Sequence, residues 1–180
     1  MESNESEIIG QCVAGNWQNF DGIYDHYLPK IYRFVYYRTR HKQTAEDITS
    51  LVFLKVVGHL GSYRKEKAPF GTWLYRIARN TIIDYVRTVK PTQDLETAFF
   101  VSSKENVAAK TEVRMQLEAV KFQMKNLSEL QRDVLTMRVW DELSHQEISE
   151  ILEISEDSSK VALSRAIANL KQSMGIYERR

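Results

Sequence analysis

Apolar residues in the first half of the chain recur every three or four positions, the spacing of amphipathic helices. Residues 20–35 follow it, so a helix is predicted there, with a kink or a new helix beginning at Pro29 because proline lacks an amide hydrogen and clashes with the preceding turn. Thr44 followed by Ala45, Glu46 and Asp47 resembles an N-cap with an acidic first turn, which predicts a second helix from about Ala45 to Leu60. Apolar residues are so frequent in this second helix that it is expected to be deeply buried or partly covered by a partner.

A basic loop and a third helix follow. Gly and Pro predict a loop at residues 61–69, and helical spacing returns from Phe70 to about Lys90. Its aromatic and aliphatic side, with Trp73, Leu74 and Ile77, is expected to be mainly core. The candidate binding residues are on the polar side and in the loop: Tyr63, Arg64, Lys65, Arg76, Arg79, Asn80 and Arg87.

The second half begins after a stretch without periodicity. Residues 91–111 are polar and are interpreted as a flexible linker between two domains, residues 1–90 and 112–180. Helices are predicted at about 112–126, 129–140, 145–152 and 157–172. Since no alternating strand pattern occurs, the predicted fold is all-α, with two small helical domains joined by the linker.

The last two predicted helices have the lengths and spacing of a helix-turn-helix. Ser144 caps the first of them, and Glu147 is its capping-box partner. In such a motif the N-terminal residues of the second helix enter the major groove of DNA, although any two packed helices give a similar pattern. The candidate contacts are Glu156, Asp157, Ser158, Ser159, Lys160 and Arg165.

Charge is divided unevenly between the halves. Residues 20–95 hold 13 Lys or Arg against 7 Asp or Glu, a net charge of +6, whereas residues 96–180 hold 12 against 14, a net charge of −2. A basic binding surface therefore belongs to the first half. Its combination of an aromatic ring, cations and an amide suits single-stranded DNA, for which stacking contributes about 1 to 3 kcal/mol per base. A merely solvated basic face is the alternative.

Several classes of function are disfavoured by composition. Cys12 is the only cysteine, so an internal disulfide is impossible and a thiolate zinc site is excluded. A lone buried cysteine is expected, with a redox sensor as the alternative. The four histidines are scattered, and no glycine-rich phosphate loop or nucleophile elbow is present, so neither a metal, a cofactor nor enzymatic activity is expected. No apolar run approaches a membrane span and no export signal opens the chain, which favours the cytoplasm.

Four segments, in order, resemble the extracytoplasmic-function sigma factors, the small promoter-recognition subunits of bacterial RNA polymerase. Residues 70–80 (FGTWLYRIARN), continuing through 83–87, resemble the most diagnostic segment of the family. Residues 45–49 with 52–55 are similar to its polymerase-docking segment, and residues 127–135 and 143–152 are similar to the opening helices of its fourth domain. The resemblance covers about residues 8–173.

The resemblance implies sigma domains two and four, and roles for the candidate residues. Tyr63 and Lys65 would line a pocket for a flipped base of the minus-ten element, Asn80 and Arg76 would contact the extruded strand, and Arg79 and Arg87 would hold phosphates. The minus-35 element would be read by Ser158, Ser159, Lys160 and Arg165. The clamp helices of the beta-prime subunit would meet Asp47, Ser50, Leu51 and Leu54.

The implied partners are core RNA polymerase, through the beta-prime clamp and the beta flap, promoter DNA, and an anti-sigma factor. The alternative is a stand-alone helix-turn-helix regulator, which would need a dimer interface or a ligand pocket. Binding of core polymerase discriminates the two.

Three features depart from the family pattern. Ser50 and Leu51 stand where Gln and Glu are usual, so docking contacts are expected to be more apolar. Glu153 replaces the usual turn glycine, which predicts modest strain at a positive φ. Ser159 and Ala162 stand where Val and Arg are usual, so one phosphate or base contact is expected to be missing.

Overall fold

The computed structural model describes residues 2–88, 120 and 122–175, and every regular element in these ranges is helical. Short 3-10 turns occupy Leu60–Ser62 and Met124–Asn126, and a π-helical turn, Thr136–Trp140, continues α5. The predicted linker, residues 91–111, lies outside the described residues. The all-α prediction is confirmed, with helices α1 (Glu2–Val13), α2 (Phe20–Thr39), α3 (Lys42–His59), α4 (Phe70–Thr88), α5 (Glu129–Leu135), α6 (His145–Leu152) and α7 (Glu156–Ser173).

Helix α2 continues through Pro29, so the predicted new helix at this proline was wrong. Ile23 and Tyr27 before the proline and Ile31 and Phe34 after it are all buried. An interior proline costs a helix about 3 kcal/mol. Burying four large side chains from both sides of the proline offsets that cost, since each contributes about 1.5 to 3 kcal/mol.

Helix α3 begins earlier than predicted. The expected N-cap, Thr44, already lies inside the helix, and its backbone amide donates to Nδ1 of His41 over 3.2 Å. The imidazole therefore caps the helix, a role that sequence rules assign to Ser, Thr, Asp and Asn. The extra turn from Lys42 precedes the buried positions Ala45 and Ile48.

Helix α1 was not predicted from the sequence. It contributes Ile9 and Cys12 to the core, both at most 3% exposed, and the Tyr27 hydroxyl donates to Glu5 Oε2 over 3.0 Å. The expectation that Cys12 is buried is confirmed. With so few apolar residues, α1 depends on α2 for its stability more than on its own helical pattern.

The helix-turn-helix has the predicted capping. The Ser144 hydroxyl accepts from the Glu147 amide, and the Glu147 carboxylate accepts from the Ser144 amide, which completes the capping box. Glu153 ends α6 in the left-handed region at φ 58°, the positive φ expected of a residue in place of glycine. Ser155 caps α7 by accepting from the Ser158 amide.

The two halves of the chain share packed surface. One hydrophobic cluster joins Leu74 and Ile82 of α4 to Ile148, Ile151 and Leu152 of α6. A second cluster joins Tyr37 of α2 to Met124, Leu127, Leu135, Ala166 and Leu170. Helix α4 therefore packs against α2 and α3 on one side and against the helix-turn-helix on another.

Candidate nucleic-acid interface

The side chains of helix α4 fall on three faces with different surroundings. Residues three or four apart share a face of the helix. The first face packs into the core through Leu74, Ala78 and Ile82, each at most 2% exposed. A second face is open at Asn80, Asp84 and Arg87, which are exposed, with Trp73 and Ile77 half-buried behind them. The third face meets the helix-turn-helix.

The open face holds two of the predicted binding residues, Asn80 and Arg87. Asp84, between them, forms an ion pair with Lys55 of α3, with Oδ2 and Nζ 3.3 Å apart. Arg87 is also in the last turn of α4, where a cation is favoured by the helix dipole. The Asn80 amide and the Arg87 guanidinium therefore lie about two turns apart on the solvent side of α4, whose opposite side is packed in the core.

The basic loop provides three exposed cations, Arg64, Lys65 and Lys67, and one packed ring. Tyr63 is half-buried: its hydroxyl donates to the Ala68 carbonyl over 3.2 Å, and its ring centroid is 5.3 Å from that of Trp73. Burial raises the pKa of Tyr63, with smaller contributions from Glu5 and Glu66. The Tyr63 ring therefore braces the loop against α4 in this arrangement.

Arg76 and Arg79 lie on the covered face of α4, beside α6. The Arg76 Nε donates to the Glu150 carbonyl over 3.0 Å, and its guanidinium is 3.7 Å from the Glu150 carboxylate. Arg79 donates to Glu153 over 3.3 Å. The predicted minus-ten set is consequently divided, with Asn80, Arg87 and Lys65 open to solvent and the two arginines engaged within the chain.

Three of the four predicted minus-35 residues are exposed on α7: Ser158, Lys160 and Arg165. Lys160 is within 3.3 Å of Asp157 and 3.8 Å of Glu156, so its charge is shared with two carboxylates. The Ser158 and Ser155 hydroxyls are 2.8 Å apart at the helix cap. The positive charge of Lys160 on this surface of α7 is therefore largely balanced by its acidic neighbours.

Ser159 departs from the prediction. It is fully buried, and its hydroxyl lies 2.8 Å from Nδ1 of His145 at the start of α6. It joins the two helices of the motif and cannot reach a base edge in this position. Ala162, one turn later, is 5% exposed, so this position is occupied by a small residue in the packed interface. Ser159 and Ala162 lie on the side of α7 that packs against the rest of the chain, whereas their place at the start of the helix suggested that they face DNA.

An apolar stripe crosses the solvent side of α3. Leu51 is 42% exposed, Leu54 70% and Val57 46%, while Asp47 and Ser50 are exposed beside them. The Ser50 hydroxyl donates to the Glu46 carbonyl over 3.0 Å. All four predicted polymerase-docking residues therefore lie on one accessible surface, which Val57 extends.

A cluster that the sequence did not reveal lies where α2 and α4 meet the π-helical turn. Tyr75 donates to Asp141 Oδ2 over 2.6 Å, and Arg33 donates to Asp141 Oδ1 over 2.9 Å. Burial raises the pKa of Asp141, while the Tyr75 hydrogen bond and Arg33 act in the opposite direction. Burial also raises the pKa of Tyr75, and the adjacent carboxylate adds to the effect.

A related cluster involves α5. Arg38 is 3.1 Å from Asp133 and 3.0 Å from Glu129. Burial raises the pKa of Asp133 to about 7 despite the opposing effect of Arg38 and Arg132. A cleft of about 480 Å³ lies at this seam, lined by Phe34, Arg38, Arg79, Ile82, Ile83, Ser128, Glu129, Leu130, Asp133 and Leu152. The uneven charge of the two halves was the only sequence signal for these contacts.

Comparisons with known proteins agree with this architecture. The family model for sigma-70 region 2 matches residues 23–92, and that for sigma-70 region 4 matches residues 117–170. The RNA polymerase sigma factor SigM of Bacillus subtilis is 34% identical over 155 residues, covering 84% of this chain and 92% of that protein. The sigma factor BldN of Streptomyces coelicolor is 29% identical, and the match covers 91% of this chain but 63% of BldN.

A solved structure shows the same fold. In its co-crystal with the anti-sigma factor NepR, the sigma factor RpoE from Bartonella quintana has a TM-score of 0.72 to this chain at 19% identity, covering 89% of this chain and 99% of that one. The chain belongs to the extracytoplasmic-function sigma factors, alternative sigma factors that bind core RNA polymerase and direct transcription initiation at promoters. This family consists of non-catalytic initiation factors.

Neither a membrane span nor a metal site is found among the described residues. No helix there is long and apolar enough to cross a membrane. No group of three or more His, Cys, Asp or Glu side chains in that part of the chain is placed to hold a metal ion.

Proposed function

We propose that the exposed polar face of α4 recognises the minus-ten element while the apolar stripe of α3 docks on polymerase. The observation that supports this division is the position of Asn80 and Arg87 on a helix whose opposite face is core. Asn80 would contact the extruded strand, Arg87 a phosphate, and Lys65 the pocket in the loop. Tyr63 would complete that pocket, and Arg76 and Arg79 would join the surface once their contacts with α6 are released.

Docking on the beta-prime clamp is assigned to Asp47, Ser50, Leu51 and Leu54. Exposed leucines on a helix favour burial against a partner, since each Å² of apolar surface removed from water contributes roughly 25 cal/mol. Serine and leucine, where polar residues are usual, make this contact more apolar. Val57 lies on the same stripe and would extend it.

The second domain is assigned the minus-35 element, through Ser158, Lys160 and Arg165 on α7, and a contact with the beta flap. The proposed domains are residues 1–90 and 112–180, joined by residues 91–111. The chain itself would catalyse no reaction and would work in the cytoplasm beside its polymerase. The likeness in fold to RpoE, whose structure contains an anti-sigma factor, supports an anti-sigma partner here too.

One pair of substitutions tests whether α4 recognises the minus-ten element and α3 docks on polymerase. Asn80→Ala should impair promoter opening, measured by permanganate reactivity of the melted strand, with little change in affinity for core polymerase. Leu54→Ser should weaken core binding by about tenfold, since roughly 1.4 kcal/mol of apolar contact would be lost.

Matched controls separate these effects from general damage. Val139→Ser removes a comparably exposed apolar side chain, 54% exposed, outside both surfaces and should change neither activity. Equal loss of opening and core binding in Asn80→Ala would contradict its role, and unchanged core binding in Leu54→Ser would contradict the docking surface.

A further inference from the structure

A series of contacting side chains runs from α1 to the basic loop, residues 61–69. The Tyr27 hydroxyl of α2 donates to Glu5 Oε2 over 3.0 Å. The Tyr27 ring lies edge-on to Phe70, the first residue of α4, with the ring centroids 5.5 Å apart. The Phe70 centroid is in turn 5.6 Å from that of Tyr63, near the start of the loop. These contacts connect the N-terminal helix to a loop far along the chain.

Glu5 is held in place by the rest of α1. It precedes Ile9 by about one turn and Cys12 by about two, so the three residues share one side of the helix. Ile9 is 3% exposed and Cys12 2%, which fixes that side against the core. The half-buried Glu5 carboxylate therefore stays beside the buried Tyr27 hydroxyl, and a hydrogen bond to a charged acceptor is stronger than one between neutral groups.

Gly71 leaves room for the Tyr27 hydroxyl at the first turn of α4. A Cβ at this position would lie 3.1 Å from the Tyr27 oxygen, closer than an ordinary van der Waals contact. With glycine here, the hydroxyl fits beside α4 while the ring stays against Phe70. Tyr27 is therefore fitted to the start of α4 through both its hydroxyl and its ring.

The basic loop is closed on itself by two hydrogen bonds. The Tyr63 hydroxyl donates to the Ala68 carbonyl over 3.2 Å, near the far end of the loop. Between these residues, the Lys67 amide donates to the Arg64 carbonyl over 3.0 Å. The side chains of Arg64, Lys65 and Lys67 are exposed on this closed turn. Their positions relative to α4 therefore depend on where the Tyr63 ring is held.

We propose that Glu5 of α1 is a positioning residue for promoter recognition: through the Tyr27 hydroxyl it holds the aromatic rings that set the position of the basic loop. Glu5 acts through Tyr27 and makes no contact with the DNA strand. The proposal rests on the proposed function for the identity of what the loop binds, a flipped base of the minus-ten element. The order of the loop itself is measurable without DNA or polymerase.

Hydrogen exchange followed by mass spectrometry tests the link between α1 and the loop in the full chain. Glu5→Ala removes the acceptor, and Tyr27→Phe removes the donor but keeps the ring. Each should raise amide exchange in residues 61–69 about fivefold, the effect of one lost hydrogen bond. Glu5→Gln keeps an oxygen that accepts from Tyr27 and should restore slow exchange. The double variant Glu5→Ala/Tyr27→Phe should exchange no faster than either single variant, because both remove the same contact.

The matched control is Glu7→Ala, which removes an exposed carboxylate from the same helix. Its loop exchange should equal that of the unchanged chain. Slow loop exchange in Glu5→Ala, or an equal rise in Glu7→Ala, would overturn the proposal. Glu5→Ala decides the matter if Tyr27→Phe does not fold.

Base discrimination tests whether the position of the loop affects recognition. The probes are a single-stranded oligonucleotide with the minus-ten sequence of a promoter that the chain opens, and copies with an abasic site at each position in turn. Core polymerase assembled with each variant binds both kinds of probe. The largest ratio of intact to abasic affinity should fall about fivefold in Glu5→Ala and Tyr27→Phe and return in Glu5→Gln. Affinity for core polymerase should not change, whereas general damage to the domain would lower it.

The two measurements fail in different ways. Faster loop exchange with an unchanged affinity ratio would overturn the positioning role of Glu5. If the unchanged chain binds every abasic copy as tightly as the intact strand, the proposed minus-ten pocket is wrong. The exchange of residues 61–69 then still decides whether α1 holds the loop.

Discussion

Comparing Glu153→Gly with Glu153→Ala separates backbone strain from ion pairing at the end of α6. Glu153 has φ 58° and ψ 45°, and its amide donates to the Ser149 carbonyl as the helix ends. A residue with a Cβ pays about 1 kcal/mol in this region relative to glycine. The carboxylate that would be lost is 77% exposed and 3.3 Å from Arg79, and such exposed pairs contribute between about 0 and 1 kcal/mol.

The two effects oppose each other, so the glycine variant alone is a poor test. Glu153→Ala removes the same ion pair but keeps the Cβ, and it is the proper reference. Glu153→Gly should therefore exceed Glu153→Ala in free energy of unfolding by about 1 kcal/mol, or about 2 to 4 °C in Tm. Urea titration followed by circular dichroism at 222 nm measures the difference. An alanine variant as stable as the glycine variant would refute the strain.

Two further predictions concern the buried charges of α5. Arg132 is 5% exposed and donates to the carbonyls of Met124, Tyr37 and Leu127. Arg132→Lys should lower the free energy of unfolding by about 2 to 3 kcal/mol in urea titrations, because one ammonium cannot reach all three carbonyls. A loss below about 0.5 kcal/mol would contradict this prediction. The pKa of Asp133 is about 7 in the folded chain, against 3.8 for an ordinary aspartate in the unfolded chain. The folded chain therefore binds more protons between these values, and the contribution of Asp133 to the free energy of unfolding falls as pH rises from about 4 to 7. Asp133→Asn should flatten that part of the profile, and an unchanged slope would count against the raised pKa.

Much of the local structure was predictable from the sequence because it is set by nearby residues. The capping box of Ser144 and Glu147 depends on two side chains three positions apart, and the left-handed end of α6 is fixed by the fold around one residue, Glu153. The exposure of Leu54 and Asn80 follows from helical phase within a single amphipathic helix. Each of these predictions required no knowledge of how distant segments pack.

Apart from the start of α3, where His41 caps the helix in place of Thr44, the failures involve packing between separate helices. Arg76 and Arg79 were expected on a free polar face, yet their partners lie 74 residues away on α6 and its C-cap. Ser159 was assigned to DNA by its place in the motif, but its hydroxyl faces His145 on the preceding helix. A kink or a new helix was expected at Pro29, but one helix continues through it, because tertiary packing on both sides outweighed the local preference.

The uneven charge of the two halves predicts that the second half would depend on the first for DNA binding. Lys160 shares its charge with Glu156 and Asp157, and a domain of net negative charge releases few counterions, so α7 alone should bind DNA poorly. Covalent linkage would raise the local concentration of α7 at a promoter that α4 holds on the proposed function, which would compensate for that poor affinity.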